Sequence, residues 1–304
     1  MSRKSGVDRY GRGHYDGAND GMRGVLSMKH REGTLEGHKG LKLFYQCWLP
    51  DAAPKAILLV VHGLAEHGGR YMNLVDYLVP KGYAVYALDH RGHGRSEGIR
   101  AYVDNFDDYL ADLKKFLDVV CGEHKDSKIF LVGHSMGATI ATAYAIENQE
   151  ELAGLILSGA SLTATTSVSP LLLAMAGVVS ALLPKMGVTV LDASAISRDQ
   201  AVVDAYVNDP LVYRGKVPAR LGAELTRMWK ELPQKMPQIK LPLLIMHGST
   251  DRLADPAGSK LLYERASSED KTLKLYDGFY HEVFNEPEHK QVLADVESWL
   301  DKRV

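Results

Sequence analysis

The stretch Ile129–Gly137, IFLVGHSMG, decides the fold of this chain of 304 residues. A run of apolar residues leads there directly into the pattern G-x-S-x-G, and residues 138–147 after it read as a helix. Glycines at positions 133 and 137 let a strand and a helix approach closely at a sharp turn, while the side chain of Ser135 projects outward. The stretch therefore predicts a nucleophile elbow, with Ser135 as the nucleophile.

Similar apolar runs recur along the chain, and each is followed by residues with helical periodicity. Together with Lys128–His134, these runs are Ile57–His62, Ala84–Asp89, Leu155–Gly159, Leu243–Gly248 and Thr272–Asp277. Runs that are apolar on both faces and alternate with helices are typical of a mostly parallel sheet covered by helices on both sides. The predicted class is α/β. Apolar stripes at helical spacing from Leu110 to Val120 and from Leu293 to Leu300 predict two of the covering helices.

The alternation of strands and helices is interrupted between residues 161 and 238, which we predict to form an inserted, mainly helical cap. The core would then comprise residues 24–160 and 239–304, and residues 1–23 would form a mobile N-terminal arm. Within the cap, the apolar run Leu171–Leu183 is shorter than the roughly 20 residues that span a bilayer. It is compatible with a buried helix, and also with a surface that touches lipid or lines an acyl tunnel.

Composition excludes several classes of protein. The chain has 36 basic and 38 acidic residues, so it offers no basic stripe for a nucleic-acid partner. The two cysteines, Cys47 and Cys121, have no metal-ligand spacing and fit a reducing compartment. Because the first residues lack the apolar segment of a secretory signal, we expect a cytoplasmic protein that touches membranes at most peripherally.

A serine nucleophile needs a base, and the base needs an acid to orient it. His281 follows the last predicted strand and Asp251 follows the one before it, which is the order Ser, Asp, His expected on an α/β-hydrolase sheet. His289 is the weaker candidate base, because it lies on a solvated helix. Asp255 is the weaker candidate acid, because it precedes Pro256 and is better explained as a helix N-cap.

Acyl transfer also needs two hydrogen-bond donors for the developing oxyanion. We predict the backbone N–H of Met136, directly after the nucleophile, and that of Leu64, in the glycine-rich loop after the first predicted strand. That loop lacks the spacing of known phosphate-binding motifs. His90 and His93 could share a metal ion, but no third ligand is evident, so neither a metal nor a cofactor is expected.

Five motifs together resemble the monoacylglycerol lipase family of α/β-hydrolases. They are His62–Tyr71 (HGLAEHGGRY), Asp89–Gly98 (DHRGHGRSEG), Gly133–Gly137 (GHSMG), Asp204–Pro210 (DAYVNDP) and Gly248–Leu253 (GSTDRL). The resemblance runs from about residue 40 to the C-terminus and includes the cap. It departs from the family pattern at Leu64–Ala65, where a smaller residue and then glycine are frequent, and at Ala138, where a second glycine is frequent.

The resemblance implies the triad Ser135, Asp251 and His281, and a polar region for a glycerol head group to which Glu66, Arg70 and Tyr206 would contribute. An ion pair between Glu66 and Arg70 that merely shapes the loop remains an alternative. The implied activity is hydrolysis of a monoacylglycerol, a small lipid ester, through an acyl-enzyme. A lysophospholipase, a general carboxylesterase and, less favoured, a peptidase or a non-catalytic receptor are the alternatives.

Overall fold

The structure is a computed structural model that describes residues 28–164 and 177–304. The predicted N-terminal arm, residues 1–23, and the first part of the apolar cap run, residues 171–176, lie outside the described residues. Among the residues described, no helix is long and apolar enough to cross a membrane.

An eight-stranded sheet with the order β1-β2-β4-β3-β5-β6-β9-β10 forms the centre of the molecule. Its strands are β1 (Lys29–Glu36), β2 (Lys42–Leu49), β3 (Ile57–Val61), β4 (Ala84–Leu88), β5 (Ile129–His134), β6 (Gly154–Ser158), β9 (Leu243–Gly248) and β10 (Lys271–Tyr276). The pairs β1/β2 and β2/β4 are antiparallel, and all the other pairs are parallel. The predicted α/β class is confirmed.

Helices cover both faces of this sheet. The helices whose buried side chains join the core of the sheet are α1 (Met72–Leu78), α2 (Asp107–Glu123), α3 (Met136–Asn148), α5 (Ala219–Lys235), α6 (Pro256–Arg265) and α7 (His289–Leu300). A further helix, α4 (Gln200–Asn208), lies between β6 and β9 and packs in a separate cluster. Alternate residues of a strand point to opposite faces. In β3, Ile57 and Leu59 therefore join the core under α2 and α3, whereas Leu58 and Val60 join the core under α1 and α7.

Each predicted strand matches an observed one to within one residue at either end. The sequence did not predict β1 and β2. β1 is a largely exposed edge strand with the polar sequence KHREGTLE, so it has no apolar run to mark it. Cys47 of β2 is buried, and Cys121 of α2 is partly buried.

The described residues between β6 and β9 add no strand to the large sheet. They contain α4, α5, helical residues 177–182 and a small two-stranded sheet of β7 (Gly187–Thr189) and β8 (Val217–Pro218). Strands of three and two residues are too short to show a periodicity in the sequence. This segment lies over the carboxyl end of the parallel strands, where it helps to enclose a cavity.

Candidate active site

Ser135 occupies the turn between β5 and α3 with a backbone φ of 54° and ψ of −119°. This is a strained conformation for a residue with a side chain, and it is held by close contacts on both sides. A Cβ atom on Gly137 would lie 1.9 Å from the carbonyl oxygen of Val61, and one on Gly133 would lie 2.8 Å from the Cα atom of Ala138. Both glycines are therefore required by the close approach of β3, β5 and α3.

Asp251 and His281 follow the neighbouring parallel strands β9 and β10, so the sheet brings them together at one edge. His281 Nδ1 lies 2.7 Å from Asp251 Oδ2. The other oxygen of Asp251 accepts the backbone N–H groups of Leu253 and Ala254, at 2.8 and 3.0 Å. His247 Nε2 also lies 3.0 Å from Asp251 Oδ2. Asp251 is thus a fully enclosed carboxylate with a defined orientation.

These contacts shift the pKa values of both groups in the sense that favours an ion pair. Burial by itself would raise the pKa of Asp251, but His281 and His247 outweigh it and hold that pKa well below the ordinary value. Burial by itself would lower the pKa of His281, but the charge of Asp251 and its hydrogen bond raise it. Asp251 therefore stays ionised and stabilises a protonated His281.

The rival candidates are engaged elsewhere. Asp255 caps α6 by accepting the N–H of Ala257 at 2.9 Å, which confirms the predicted N-cap. His289 begins α7 and contacts the carbonyl oxygen of Glu286. Within residues 28–164 and 177–304, no group of three or more His, Cys, Asp or Glu side chains could hold a metal ion, and this includes the surroundings of His90 and His93.

Ser135, His281, Leu64 and Met136 line one cavity of about 320 Å³. Among the described residues, Ser135 Oγ has no hydrogen-bond partner, and neither has the backbone N–H of Leu64 or of Met136. Catalytic hydrogen bonds of a free enzyme often form fully only with substrate present. The cavity thus presents a hydroxyl, an imidazole and two unpaired N–H donors.

A buried ion cluster lies beside this cavity. Arg70 donates to Glu66 at 3.0 Å and makes two hydrogen bonds to Glu282, at 2.6 and 2.8 Å. Its guanidinium also stacks on the ring of Tyr206, 4.7 Å from the ring centroid. Burial would raise the pKa of Glu282, but Arg70 outweighs this and lowers it. Glu282 is a member that sequence reasoning missed, although its position directly after His281 is a signal that could have found it.

The head-group candidates therefore fall into two kinds. Glu66, Tyr206 and Glu282 line the cavity, whereas Arg70 is not among its lining residues. Glu66 also accepts the N–H of Gly63 at 2.6 Å, so it holds the loop that carries Leu64. This geometry favours Arg70 as the residue that orders the two carboxylates.

Comparison with known proteins identifies the family of this chain. Residues 52–288 match the family model described as serine aminopeptidase, S33. Over 276 residues the chain is 42% identical to a monoacylglycerol lipase of Mycolicibacterium smegmatis, with 91% of this chain and 99% of the relative covered. It is 39% identical over 268 residues to a monoglyceride lipase of Mus musculus, covering 87% and 88% of the two chains. The chain belongs to the monoacylglycerol lipase family.

A solved structure of this family has the same architecture. A soluble variant of monoglyceride lipase from Saccharomyces cerevisiae, in complex with a substrate analog, superposes with a TM-score of 0.79 at 25% identity. The match covers 92% of this chain and 96% of that one. The monoacylglycerol lipase architecture thus includes the segment between β6 and β9.

The chain's departure from the family pattern at Ala65 has a structural consequence. Ala65 adopts a φ of 68°, in the left-handed region that favours glycine. Its carbonyl oxygen accepts the N–H of Tyr213, at 2.9 Å, from the segment over the cavity. That contact helps to hold Ala65 in the strained conformation.

His134, the residue before the nucleophile, packs its ring against His281 with 4.6 Å between centroids. Burial, together with the neighbouring His281, lowers the pKa of His134 to about 3. A neutral His134 adds no positive charge beside His281. Of these two neighbouring rings in this monoacylglycerol lipase family member, His281 is therefore the one suited to take up a proton.

Part of the cavity lining is apolar. Ile196, Val217, Leu225 and Trp229 form this part, and the indole N–H of Trp229 donates to the carbonyl oxygen of Ser161 at 2.9 Å. The only hydrogen-bonding atom of the Trp229 ring is thereby satisfied, so the ring offers an apolar face to the cavity. Such a wall fits an acyl chain better than a polar substrate.

Proposed function

We propose that this chain is a serine hydrolase that cleaves the ester bond of a monoacylglycerol to a fatty acid and glycerol. The observation that carries the proposal is the meeting, in one apolar cavity, of a strained Ser135, a His281 bound to Asp251 at 2.7 Å, and two unpaired N–H donors. No cofactor is needed for this chemistry.

In the proposed mechanism, Ser135 Oγ attacks the ester carbonyl carbon while His281 Nε2 accepts the hydroxyl proton. The N–H groups of Leu64 and Met136 stabilise the negative charge on the carbonyl oxygen. His281 then returns the proton to the glycerol oxygen, which leaves, and a water activated by His281 releases the acid from Ser135. Asp251 fixes the tautomer of His281 and stabilises its protonated form.

The glycerol would bind between Tyr206 and Glu66, at the polar side of the cavity. We assign Arg70 the role of holding Glu66 and Glu282 in place from outside the cavity. The fatty acyl chain would extend along Leu225 and Trp229. A general carboxylesterase or lysophospholipase could use the same triad, so the polar side of the cavity is what separates these activities.

We further propose that a cytoplasmic enzyme of this kind takes its substrate from a membrane surface. Six exposed apolar side chains cluster in sequence beside the cavity: Val178, Leu182, Leu183, Met186, Val188 and Val190. Val190 also lines the cavity itself. An exposed apolar patch at the entrance to a lipid site is suited to peripheral contact with a bilayer.

The test of the proposed function is product analysis with purified protein and Ser135→Ala. The panel should contain a monoacylglycerol, the methyl ester of the same acid, a lysophospholipid and an aminoacyl anilide. We expect the monoacylglycerol to have the highest kcat/KM and Ser135→Ala to lower its turnover on the order of 10⁴-fold or more. Preference for the lysophospholipid or the anilide would reassign the substrate, and an active Ser135→Ala would overturn the mechanism.

A further inference from the structure

Three buried histidines cluster at the start of the loop that carries Leu64, residues 62–70, called here the oxyanion loop. His62 directly follows β3 and begins this loop, while His90 and His93 follow β4. His62 is completely buried, and its ring centroid is 4.1 Å from that of His90 and 5.4 Å from that of His93. The proposed mechanism gives none of the three a role.

The protonation of His62 is fixed by its neighbours. The backbone N–H of His90 lies 2.9 Å from His62 Nε2, and a backbone N–H can only donate. Nε2 must therefore accept, which leaves the proton of a neutral ring on Nδ1. Burial, with the neighbouring histidines, lowers the pKa of His62 well below its ordinary value, so the ring stays neutral. Nδ1 then donates to the carbonyl oxygen of Gly63, at 2.7 Å.

That carbonyl belongs to the same peptide unit as the N–H of Leu64. A peptide unit is planar and trans, so its C=O and N–H point in opposite directions. Holding the C=O of Gly63 therefore sets the direction of the Leu64 N–H. The preceding peptide is held as well, because the N–H of Gly63 donates to Glu66 at 2.6 Å. The carbonyl oxygen of His62, in that same preceding peptide, also contacts His90 Nε2 at 3.1 Å. Together these contacts restrict the rotation that a glycine would otherwise have.

We infer that His62 is a positioning residue that aims the Leu64 N–H at the substrate oxyanion by holding the carbonyl group of Gly63. The inference rests on the proposed function, in which Leu64 is an oxyanion donor. An oxyanion hole works because its donors are already oriented before charge develops. His62 supplies this orientation from the first position of the loop, and its side chain does not line the cavity.

A pair of substitutions separates the two hydrogen bonds of His62. In His62→Asn the side-chain amide reaches the position of Nδ1 and can still donate to Gly63. In His62→Gln the amide reaches the position of Nε2, so it retains the contact with His90 and loses the one with Gly63. We expect His62→Gln to lower kcat about 100-fold with little change in KM, and His62→Asn to stay within about tenfold of wild type.

His93→Gln is the matched control for damage to the histidine cluster. His93 is as buried as its neighbours, but its Nδ1 contacts the carbonyl oxygen of Arg91, at 3.0 Å, and not the oxyanion loop. We expect kcat of this variant to stay within about threefold of wild type, since oxyanion stabilisation is untouched. An equal loss in His93→Gln and His62→Gln would reduce His62 to a packing role and overturn the inference.

The decisive readout is the ratio of kcat for a short ester to kcat for its thionoester, in which sulfur replaces the carbonyl oxygen. Sulfur is larger and a weaker acceptor, so it gains less from the oxyanion donors. We expect the ratio to fall in His62→Gln and to recover in His62→Asn. Both rates come from one preparation, so the ratio is independent of the fraction of folded protein.

Two failures are distinguishable by these measurements. If wild type hydrolyses the esters and Ser135→Ala does not, yet the ratio is unchanged in His62→Gln, the role of His62 is wrong and the proposed function stands. If Ser135→Ala remains active, the proposed function fails before His62 is considered.

Discussion

At the scale of single residues, the site depends on which of two nearby carboxylates contacts the base. Asp251 is enclosed by two histidines and two backbone N–H groups, whereas the carboxylate of Asp255 caps the N-terminus of α6. The first arrangement stabilises a charge that changes during a reaction. The second stabilises a helix end that does not change.

We therefore predict that Asp251→Asn lowers kcat on the order of 10⁴-fold, while Asp255→Asn changes it little. An amide cannot stabilise a protonated His281, and it disturbs the tautomer. Because Asp251 raises the pKa of His281, the wild-type rate should fall on the acidic side of an apparent pKa above about 6.5. Steady-state rates on a soluble ester check this, and a larger loss in Asp255→Asn would reassign the acid.

The head group offers a second test at this scale. A site with polar partners for hydroxyls rejects an analogue that lacks them, because its own groups are left unpaired. Tyr206→Phe should therefore reduce the preference for a monoacylglycerol over the methyl ester of the same acid by about 10-fold. The methyl ester itself should be hydrolysed at nearly the wild-type rate.

Arg70→Met serves as the contrast to Tyr206→Phe. It leaves Glu66 and Glu282 as buried carboxylates without their cation, so it should slow both esters and lower the melting temperature. A selective loss on the monoacylglycerol alone would instead return Arg70 to the head-group site.

At the scale of elements, the segment between β6 and β9 has two apolar surfaces with different surroundings. One surface, with Leu225 and Trp229, faces the cavity. The other, within residues 178–190, faces outward, and the side chain of Leu182 is 75% exposed. Of the alternatives left open for Leu171–Leu183, a buried helix does not fit the described part, residues 177–183, because most of these residues are exposed. A covering element with such an outer face is suited to contact with lipid.

We predict that Leu182→Asp with Leu183→Asp weakens sedimentation with phospholipid vesicles at least tenfold and slows hydrolysis of vesicle-borne monoacylglycerol. Hydrolysis of a short soluble ester should be unchanged, because only the vesicle-borne substrate requires apolar contact between the enzyme and the bilayer. Ile99→Asp is the matched control, since Ile99 is 48% exposed and does not line the cavity. Equal vesicle binding by both variants and wild type would dismiss the patch as a lipid contact.

At the scale of the whole molecule, buried histidines link folding to pH. His62, His90, His93 and His134 are all buried, and burial lowers the pKa of each, to about 3 for His90 and about 4 for His93. The unfolded chain protonates these groups near pH 6.5, whereas the folded chain does not. Protons are therefore taken up on unfolding in acid, and the free energy of unfolding must fall.

We predict that the free energy of unfolding decreases as the pH falls from about 6.5 to about 4, by on the order of 1.4 kcal/mol per pH unit for each proton taken up. His281 acts in the opposite sense, because its raised pKa adds stability at low pH that is lost as the pH rises through it. Urea titrations over this range measure the slope. A flat profile would mean that these histidines are already protonated in the folded chain.

The sequence by itself determined the features that depend only on residues close together along the chain. The apolar runs of β3 to β6, β9 and β10, the elbow around Ser135 and the cap at Asp255 follow from local sterics, periodicity and short-range hydrogen bonding. The positions of Ser135, Asp251 and His281 after predicted strands also indicated that the three residues meet, because parallel strands place their carboxyl ends at one edge of the sheet.

Only the tertiary structure decided which distant groups meet. Arg70 pairs with Glu282, and His62 accepts a hydrogen bond from the backbone N–H of His90. Nothing in the sequence of either segment predicts these contacts. The polar edge strand β1 could not be predicted from its own sequence either, because it forms by pairing with β2. Such contacts depend on strand order and on the burial of whole faces, since a buried polar group is stable only where the fold supplies its partner.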